Sequence, residues 1–384
     1  MVLFGIDQFL KQSSKYGKLR FALVTNNAST TSTGISSRLG MLKQGINLKK
    51  LFSPEHGLSA QGDDGVYQNN TTDPVTGLPV ISLYGDQLLP TADDLADIDA
   101  VLFDIPDAGC RFYTYLWTMT YVMQSCAEFN KQLFILDRPN PLSGDLTLAE
   151  GPMLDEKNCT SFIGQWSIPI RHSCTLGELA CYFLANHIKN CDLQIIKIQN
   201  WKREQLAKEA DWLFIPPSPA IRDIETALLY PGMGLLEGIN VNEGRGTELP
   251  FKIFGAPWIN ASQIQIAFQQ LQLPGIKTEA CSYKPAAGLY ADEWCFGLQL
   301  TITNISEFYP VQTGLQLINL IVSLYPDYCK ERLYKTRANP TGEKHLDKLT
   351  GVYDSFKKIK KKEIPDSQNI SWPWQEIIQA HLLY

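Results

Sequence analysis

The strongest constraint on the fold is a rhythm in the first half of the chain, where short apolar runs alternate with segments of helical character and each run stops abruptly at a polar cluster. Leu19 to Val24 ends at Thr25-Asn26-Asn27, and Leu48 to Phe52 runs into Ser53-Pro54-Glu55-His56-Gly57. Pro79 to Tyr84 is a third run, Ala100 to Phe103 stops at Asp104, and Lys131 to Leu136 stops at Asp137-Arg138-Pro139-Asn140. Between them lie helical stretches at Ser36 to Lys43 and Tyr113 to Phe129, and one opened by Thr91 with Asp93 and Asp94 in its first turn, where the helix dipole favours acids. Strands alternating with helices make a parallel sheet with crossover helices on its faces. The expected fold is therefore α/β: a Rossmann-like, mostly parallel sheet with helices on both faces.

The rhythm continues through a helix at Thr175 to His187 and a strand at Leu193 to Ile198. The proline-rich stretch Pro216-Pro217-Ser218-Pro219, a short helix at Asp223 to Leu229 and then Tyr230-Pro231-Gly232 mark a change of organisation. Beyond it come a glycine-rich polar stretch, a strand at Trp294 to Thr303 and a helix at Val311 to Leu324. We assign residues 1–235 to a Rossmann-like amino-terminal domain and 236–384 to a smaller α+β domain that closes a cleft.

Composition narrows the function. With 44% apolar and 19% charged residues, 384 residues suffice for two cores. A net charge of −6 and a pI near 5.5 give no basic footprint for nucleic acid or an anionic membrane, and Lys357 to Lys362 reads as a solvated face. No run approaches the roughly 18 apolar residues of a membrane span. Met1 to Asp7 is too short and too soon charged for a secretory core, so either a cytoplasmic location or removal of a leader is expected. Nine cysteines without a Cys-x-x-Cys pair argue against a zinc knuckle or a fully paired disulfide framework, and they read as small buried hydrophobes.

In open α/β sheets, ligands sit beyond the carboxyl ends of the strands. Glu55, Asp104, Asp107 and Asp137 are therefore expected to converge on one crevice, with Asn26 at the equivalent place on the first strand. The competing reading makes them helix caps and turn residues. Pro54 and Gly57 fix an irregular turn that exposes Glu55 and His56. A Glu in a partly apolar cleft has its pKa raised and can serve as a general acid, while His56 can carry a proton or bind a substrate carboxylate. Asp104, Asp107, Arg111, Tyr113 and Tyr115 combine carboxylates, a guanidinium and phenols, a mixture suited to a sugar. Asp137, Arg138 and Asn140 repeat that chemistry on the next strand.

The run from Gly232 to Thr247 superficially resembles a dinucleotide fingerprint, but its third glycine is one position late and Pro231 precedes it instead of a strand. It reads better as a loop presenting Glu237, Asn240, Glu243 and Arg245 to a ligand. Walker A, His-Glu-x-x-His and Gly-x-Ser-x-Gly signatures are missing from the sequence.

Several unusual strings occur in one order: Gly5-Ile6-Asp7, Val24-Thr25-Asn26, Ser53-Pro54-Glu55-His56-Gly57, Arg111-Phe112-Tyr113-Thr114-Tyr115, Leu136 to Pro141, Glu237-Gly238-Ile239-Asn240, Glu243 to Thr247 and Gly255-Ala256-Pro257-Trp258. In these the chain resembles the exo-β-N-acetylmuramidase family of the NamZ type. The resemblance implies a Rossmann-like domain and a smaller carboxyl-terminal one with the site between them. It also implies release of N-acetylmuramic acid from non-reducing ends of peptidoglycan fragments, no cofactor, and a periplasmic or secreted location. Carried over, the family's Ser-Pro-Glu-His-Gly glutamate falls on Glu55. Pro106 and Cys110 stand where the family pattern leads us to expect other residues. Glu55 is the expected acid, a second carboxylate or the substrate's acetamido group supports the oxocarbenium-like centre, and Arg111 or Arg138 binds the lactyl carboxylate. Two other readings stay open: a metal-dependent hydrolase using Glu55, His56, Asp104 and Asp137, and a non-catalytic peptidoglycan-binding module.

Overall fold

A computed structural model describes residues 1–206, 212–363, 365 and 371–384. The apolar runs become strands β1 (Arg20–Val24), β2 (Asn47–Ser53), β3 (Thr71–Thr72), β4 (Pro79–Ser82), β5 (Ala100–Phe103), β6 (Gln132–Leu136) and β7 (Asp192–Ile196). They form one sheet in the order β3-β4-β2-β1-β5-β6-β7, parallel throughout except for β3. The order reverses at β1, which pairs with β2 on one side and β5 on the other, so Val24 lies level with both Phe52 and Phe103. That register puts the polar ends of the strands on one edge.

Alternate residues of each strand face opposite sides, as the pleat requires. Phe21, Leu23, Leu102 and Phe134 meet Ile6 and Phe9 of the helix Gly5–Lys11 and Met41 of the helix Ser37–Lys43. Ala22, Val24, Val101, Phe103 and Ile135 face the helices Tyr115–Glu128 and Leu176–Asn186. Both faces of the sheet are thus buried, which is why the strands read as continuous apolar runs. Burying each large side chain contributes about 1.5–3 kcal/mol. One close approach fixes the first helix: a Cβ on Gly5 would lie 2.3 Å from the Asp137 amide, so any larger residue there pushes the helix off β6.

Past residue 212 the chain builds a smaller antiparallel sheet, β8 (Ile253–Ala256), β9 (Ile276–Tyr283) and β10 (Cys295–Ile302), ordered β8-β10-β9. Only β10 is evident from the sequence; β8 is masked by its Gly-Ala end, and β9 alternates polar and apolar residues too weakly. The helix Ala261–Gln270 packs on this sheet, and the helix Pro310–Leu324 packs against Ala261–Gln270 and Ile224–Met233. The expected stop at Tyr230-Pro231-Gly232 does not hold, because the helix Ile224–Met233 runs through Pro231. Its crossing with Pro310–Leu324 explains the glycines: a Cβ on Gly232 would lie 2.0 Å from Pro310 O, and one on Gly314 would lie 2.3 Å from Gly232 O. The run from Gly234 to Gly238 continues as a 3-10 turn instead of an open loop.

All nine cysteines are free thiols, seven of them buried. Among the described residues, no helix is long and apolar enough to cross a membrane.

Candidate active site

A cavity of about 290 Å³ opens between the β2 and β4 ends of the large sheet and segments of the smaller unit. It lies at the small end of the roughly 300–1,000 Å³ typical of small-molecule sites. Phe112, Tyr113, Phe162, Tyr230 and Phe251 give it aromatic walls, and Glu55, His56, Asp64, Glu237 and Arg245 give it a charged floor.

The floor starts where β2 ends. Gly57 N donates to Pro54 O at 3.0 Å to close a turn, with His56 and Gly57 both in the left-handed region at φ 68° and 69°. For His56 this conformation costs on the order of 1 kcal/mol or more. It persists because the His56 ring Nδ1 lies 2.8 Å from Gly62 O and Gly62 N donates to His56 O at 3.1 Å. Glu55 is thereby turned into the cavity. Its two oxygens accept from Gly65 N at 3.0 Å and from the Thr114 hydroxyl at 2.7 Å. Beneath it, Asn26 donates to the Tyr115 hydroxyl at 3.1 Å, and that hydroxyl donates to Pro217 O at 2.7 Å while lying 3.3 Å from Glu55 O. Asn26 and Tyr115 thus hold the Glu55 backbone without reaching the cavity.

Burial and the neighbouring Asp64 raise the Glu55 pKa, against the opposing pull of His56, Thr114 and Gly65. Asp64 behaves oppositely. Burial alone would raise it, yet Arg245, His56, the Tyr334 hydroxyl that donates to it, and His345 together hold it below the usual aspartate range. Two neighbouring carboxyls with pKa values driven apart make an acid beside a fixed charge. Each of Glu55, His56 and Asp64 offers a ligand atom within 4.8 Å of the others, so these are the residues that could share a proton or a cation. Arg245 already places its guanidinium 3.5 Å from Asp64.

Arg245 organises the opposite side. Its Nε and Nη2 donate to Glu237 Oε1 at 2.9 and 2.8 Å, and Glu243 lies 3.4 Å away and accepts from Arg332 at 3.1 Å. The guanidinium rests 5.0 Å from the centroid of the Phe251 ring. Burial raises Glu243, with Arg332 opposing.

The expected convergence of strand-end carboxylates does not occur. Asp104 is fully buried and accepts from Arg138 Nε at 2.7 Å. Arg138 also donates to Thr30 O at 2.6 Å and lies over the Phe4 ring, so it has no part in the cavity. Asp137 accepts from Gly177 N, the Thr175 hydroxyl, Arg138 N and the Tyr384 hydroxyl, all within 3.1 Å, and burial raises it to about 6. The amino-terminal segment and the start of the helix Leu176–Asn186 close on the β6 end, where Gly5 N donates to Asp137 O and Gly177 N to Asp137 Oδ1. Asp107 accepts from Gly109 N and pairs with His172 at 3.2 Å beside a second, smaller hollow that Arg138 also lines. Asn140 spans Cys174 O and Leu142 N. Arg111 is buried and donates to the carbonyls of Pro152, Ile168 and Leu349 at 2.7–2.9 Å. Asn240 bonds Tyr328 O and Lys330 N away from the cavity. Glu55, His56, Tyr113, Glu237 and Arg245 line the cavity, with Glu243 behind Arg245.

Sequence reasoning missed Asp64, Thr114, Tyr334, His345 and Lys348. Asp64 carries only a turn signal, Asp63-Asp64-Gly65, and the last three lie in a polar tail without periodicity.

The fold and cavity are those of an α/β protein with carboxylates gathered in an aromatic-walled site, as an enzyme of acid–base chemistry needs. Residues 21–225 and 228–384 match, in turn, the amino-terminal and carboxyl-terminal parts of the family described as exo-beta-N-acetylmuramidase NamZ. A Bacillus subtilis (strain 168) protein named peptidoglycan beta-N-acetylmuramidase NamZ is 39% identical over 326 residues, covering 84% of this chain and 78% of that protein. Two crystal structures of DUF1343 family proteins from Bacteroides fragilis NCTC 9343 share the fold. One has a TM-score of 0.87 at 28% identity, the other 0.72 at 26%, and each alignment covers 100% of this chain and 99% of the other. The chain belongs to the exo-β-N-acetylmuramidase NamZ family.

Proposed function

We propose that this protein releases N-acetylmuramic acid from the non-reducing ends of peptidoglycan fragments, with Glu55 as the general acid. The observation that carries the assignment of Glu55 is its place on the cavity floor, with a carboxyl that burial and Asp64 keep protonated to higher pH than an ordinary glutamate. The substrate is suggested by the name of the Bacillus subtilis relative.

In this reading the sugar ring lies against the aromatic wall and its glycosidic oxygen takes the proton from Glu55. As the bond to the aglycone breaks, positive charge grows at the anomeric carbon and ring oxygen, and ionised Asp64 stabilises it electrostatically. The water that completes the reaction returns a proton to Glu55. Carboxyls about 5–5.5 Å apart favour a retaining route and about 6.5–9.5 Å an inverting one. Glu55 and Asp64 each bring one oxygen within 4.8 Å of the other, too close for the attacking water of an inverting enzyme, and we favour the retaining route, with either Asp64 or the substrate's 2-acetamido group engaging the anomeric carbon. Asp104 and Asp137 take no part.

A chromogenic β-glycoside of N-acetylmuramic acid tests the proposal. Release of the chromophore, its loss in Glu55→Gln, and a first-formed β-anomer by NMR are the expected results. A folded parent protein that binds the glycoside without turning it over would instead make this a binding module.

A further inference from the structure

The lactyl carboxylate of a muramic acid sugar needs a cation, and the cavity offers fewer than the sequence suggests. Arg111 and Arg138 are committed elsewhere. Arg245 lines the cavity but serves Asp64, Glu237 and Glu243, so that three carboxylates share Arg245 and Arg332. An anionic substrate approaching that floor meets excess negative charge. Lys348 differs. It lines the cavity, is half-buried, and donates to Asn339 Oδ1 at 2.8 Å, leaving two N–H bonds of the ammonium to give. Among the described residues no carboxylate comes within 4.0 Å of it. Burial pulls its pKa down, with Glu343 opposing, so an incoming anion gains a poorly compensated positive charge.

The local structure aims this lysine. The helix His345–Thr350 is a single turn and a half, entered through Lys344 at φ 55° and left through Gly351 at φ 77°. His345 and Lys348, three residues apart, share the face that lines the cavity. Arg111 holds the far end of the turn through its bond to Leu349 O, and a Cβ on Gly351 would lie 2.7 Å from the same guanidinium. His345 is nine-tenths buried, stacks on Tyr334 at 4.4 Å, and has both ring nitrogens without a hydrogen-bond partner, Nε2 lying 3.9 Å from Glu237 Oε2. An imidazole without a hydrogen-bond partner beside an ammonium that no carboxylate pairs is a site suited to an acceptor-rich anion.

We infer that Lys348, with His345 beside it, binds the lactyl carboxylate of the sugar and so selects N-acetylmuramic acid over N-acetylglucosamine. The inference rests on the function proposed above and assigns the part of the site that sets its specificity.

Binding to the Glu55→Gln protein tests this apart from turnover. Calorimetry is expected to show N-acetylmuramic acid bound about 10- to 100-fold more tightly than N-acetylglucosamine, the range of one charge-assisted contact. Adding Lys348→Gln should erase that preference while leaving affinity for N-acetylglucosamine within about twofold, and Lys348→Arg should restore part of it. A preference that survives Lys348→Gln, or equal loss of affinity for both sugars, overturns the assignment. Lys348→Met, checked by thermal melting, replaces the glutamine variant should that one not fold. Failure of the otherwise intact enzyme to cleave the muramic acid glycoside would sink the proposed function and leave the binding preference to judge Lys348 separately.

Discussion

Two groups of buried carboxylates stand along the same edge of the large sheet, one beyond β2 and one beyond β5 and β6, and they have opposite fates. Asp137 receives four donors on its two oxygens, from the backbone N–H groups of Arg138 and Gly177 and the hydroxyls of Thr175 and Tyr384. Asp104 is locked to Arg138. Glu55 receives Gly65 N and Thr114, has the Tyr84 hydroxyl beside it, and looks into a cavity beside Asp64. A buried carboxylate enclosed by protein partners is a joint; one that faces a cavity, with a like charge nearby, is poised to exchange a proton. Residue type and position at a strand end do not separate the two.

The contrast can be broken most directly by Glu55→Gln, which should lower kcat/KM on a muramic acid glycoside by about 10³-fold with little change in melting temperature. A modest loss of activity would put Glu55 back among the joints. Arg111→Met should do the reverse. Three carbonyls, two of them buried, lose their donor, so unfolding free energy should fall by about 3 kcal/mol in chemical denaturation. An unaltered denaturation midpoint would show that Arg111 is not the tie it looks to be.

Asp137 sharpens the comparison through pH. Its carboxyl rises from 3.8 to about 6 in the fold, so the native state holds the proton more tightly than the unfolded chain. The resulting stabilisation is fully present below pH 3.8 and is lost as pH rises through 6, a swing of roughly 3 kcal/mol. Denaturation between pH 4 and 6 should therefore show a steeper fall for the parent than for Asp137→Asn. Glu150, raised by burial to about 7, titrates in both proteins and cancels from the difference. Parallel curves would refute the burial argument.

Finer effects should appear in the pH profile of kcat/KM, whose alkaline limb follows loss of the Glu55 proton. Asp64 raises the Glu55 pKa, so Asp64→Asn should move that limb to lower pH; Thr114 lowers it, so Thr114→Val should move it to higher pH. Shifts in the same direction would contradict the charge arrangement of the cavity. Asn240→Ala, outside the cavity, should change stability by no more than about 1 kcal/mol and leave KM alone.

Much of this was legible in the chain. The large sheet followed from apolar runs buried on both faces, and the Ser53 to Gly57 turn announced itself through Pro54 and Gly57. Glu55, His56, Tyr113, Glu237 and Arg245 were singled out and do share one cavity. Asp104, Asp107, Asp137, Arg111, Arg138, Asn140 and Asn240 carried equally polar signatures and ended in the framework. Side-chain chemistry alone reads the same whether a donor will be supplied by a substrate or by a carbonyl far along the chain.

The sequence by itself settled the parallel sheet, its crossover helices and the irregular turn that carries Glu55, because periodicity and turn chemistry act over a few residues. The tertiary structure decided which charges meet. Tyr334 reaches Asp64 across 270 positions, Tyr384 reaches Asp137 across 247, and Arg111 reaches Leu349 across 238. Such pairings depend on where two sheets and their loops come to rest, and a buried ionisable group takes its pKa from whatever that packing sets beside it.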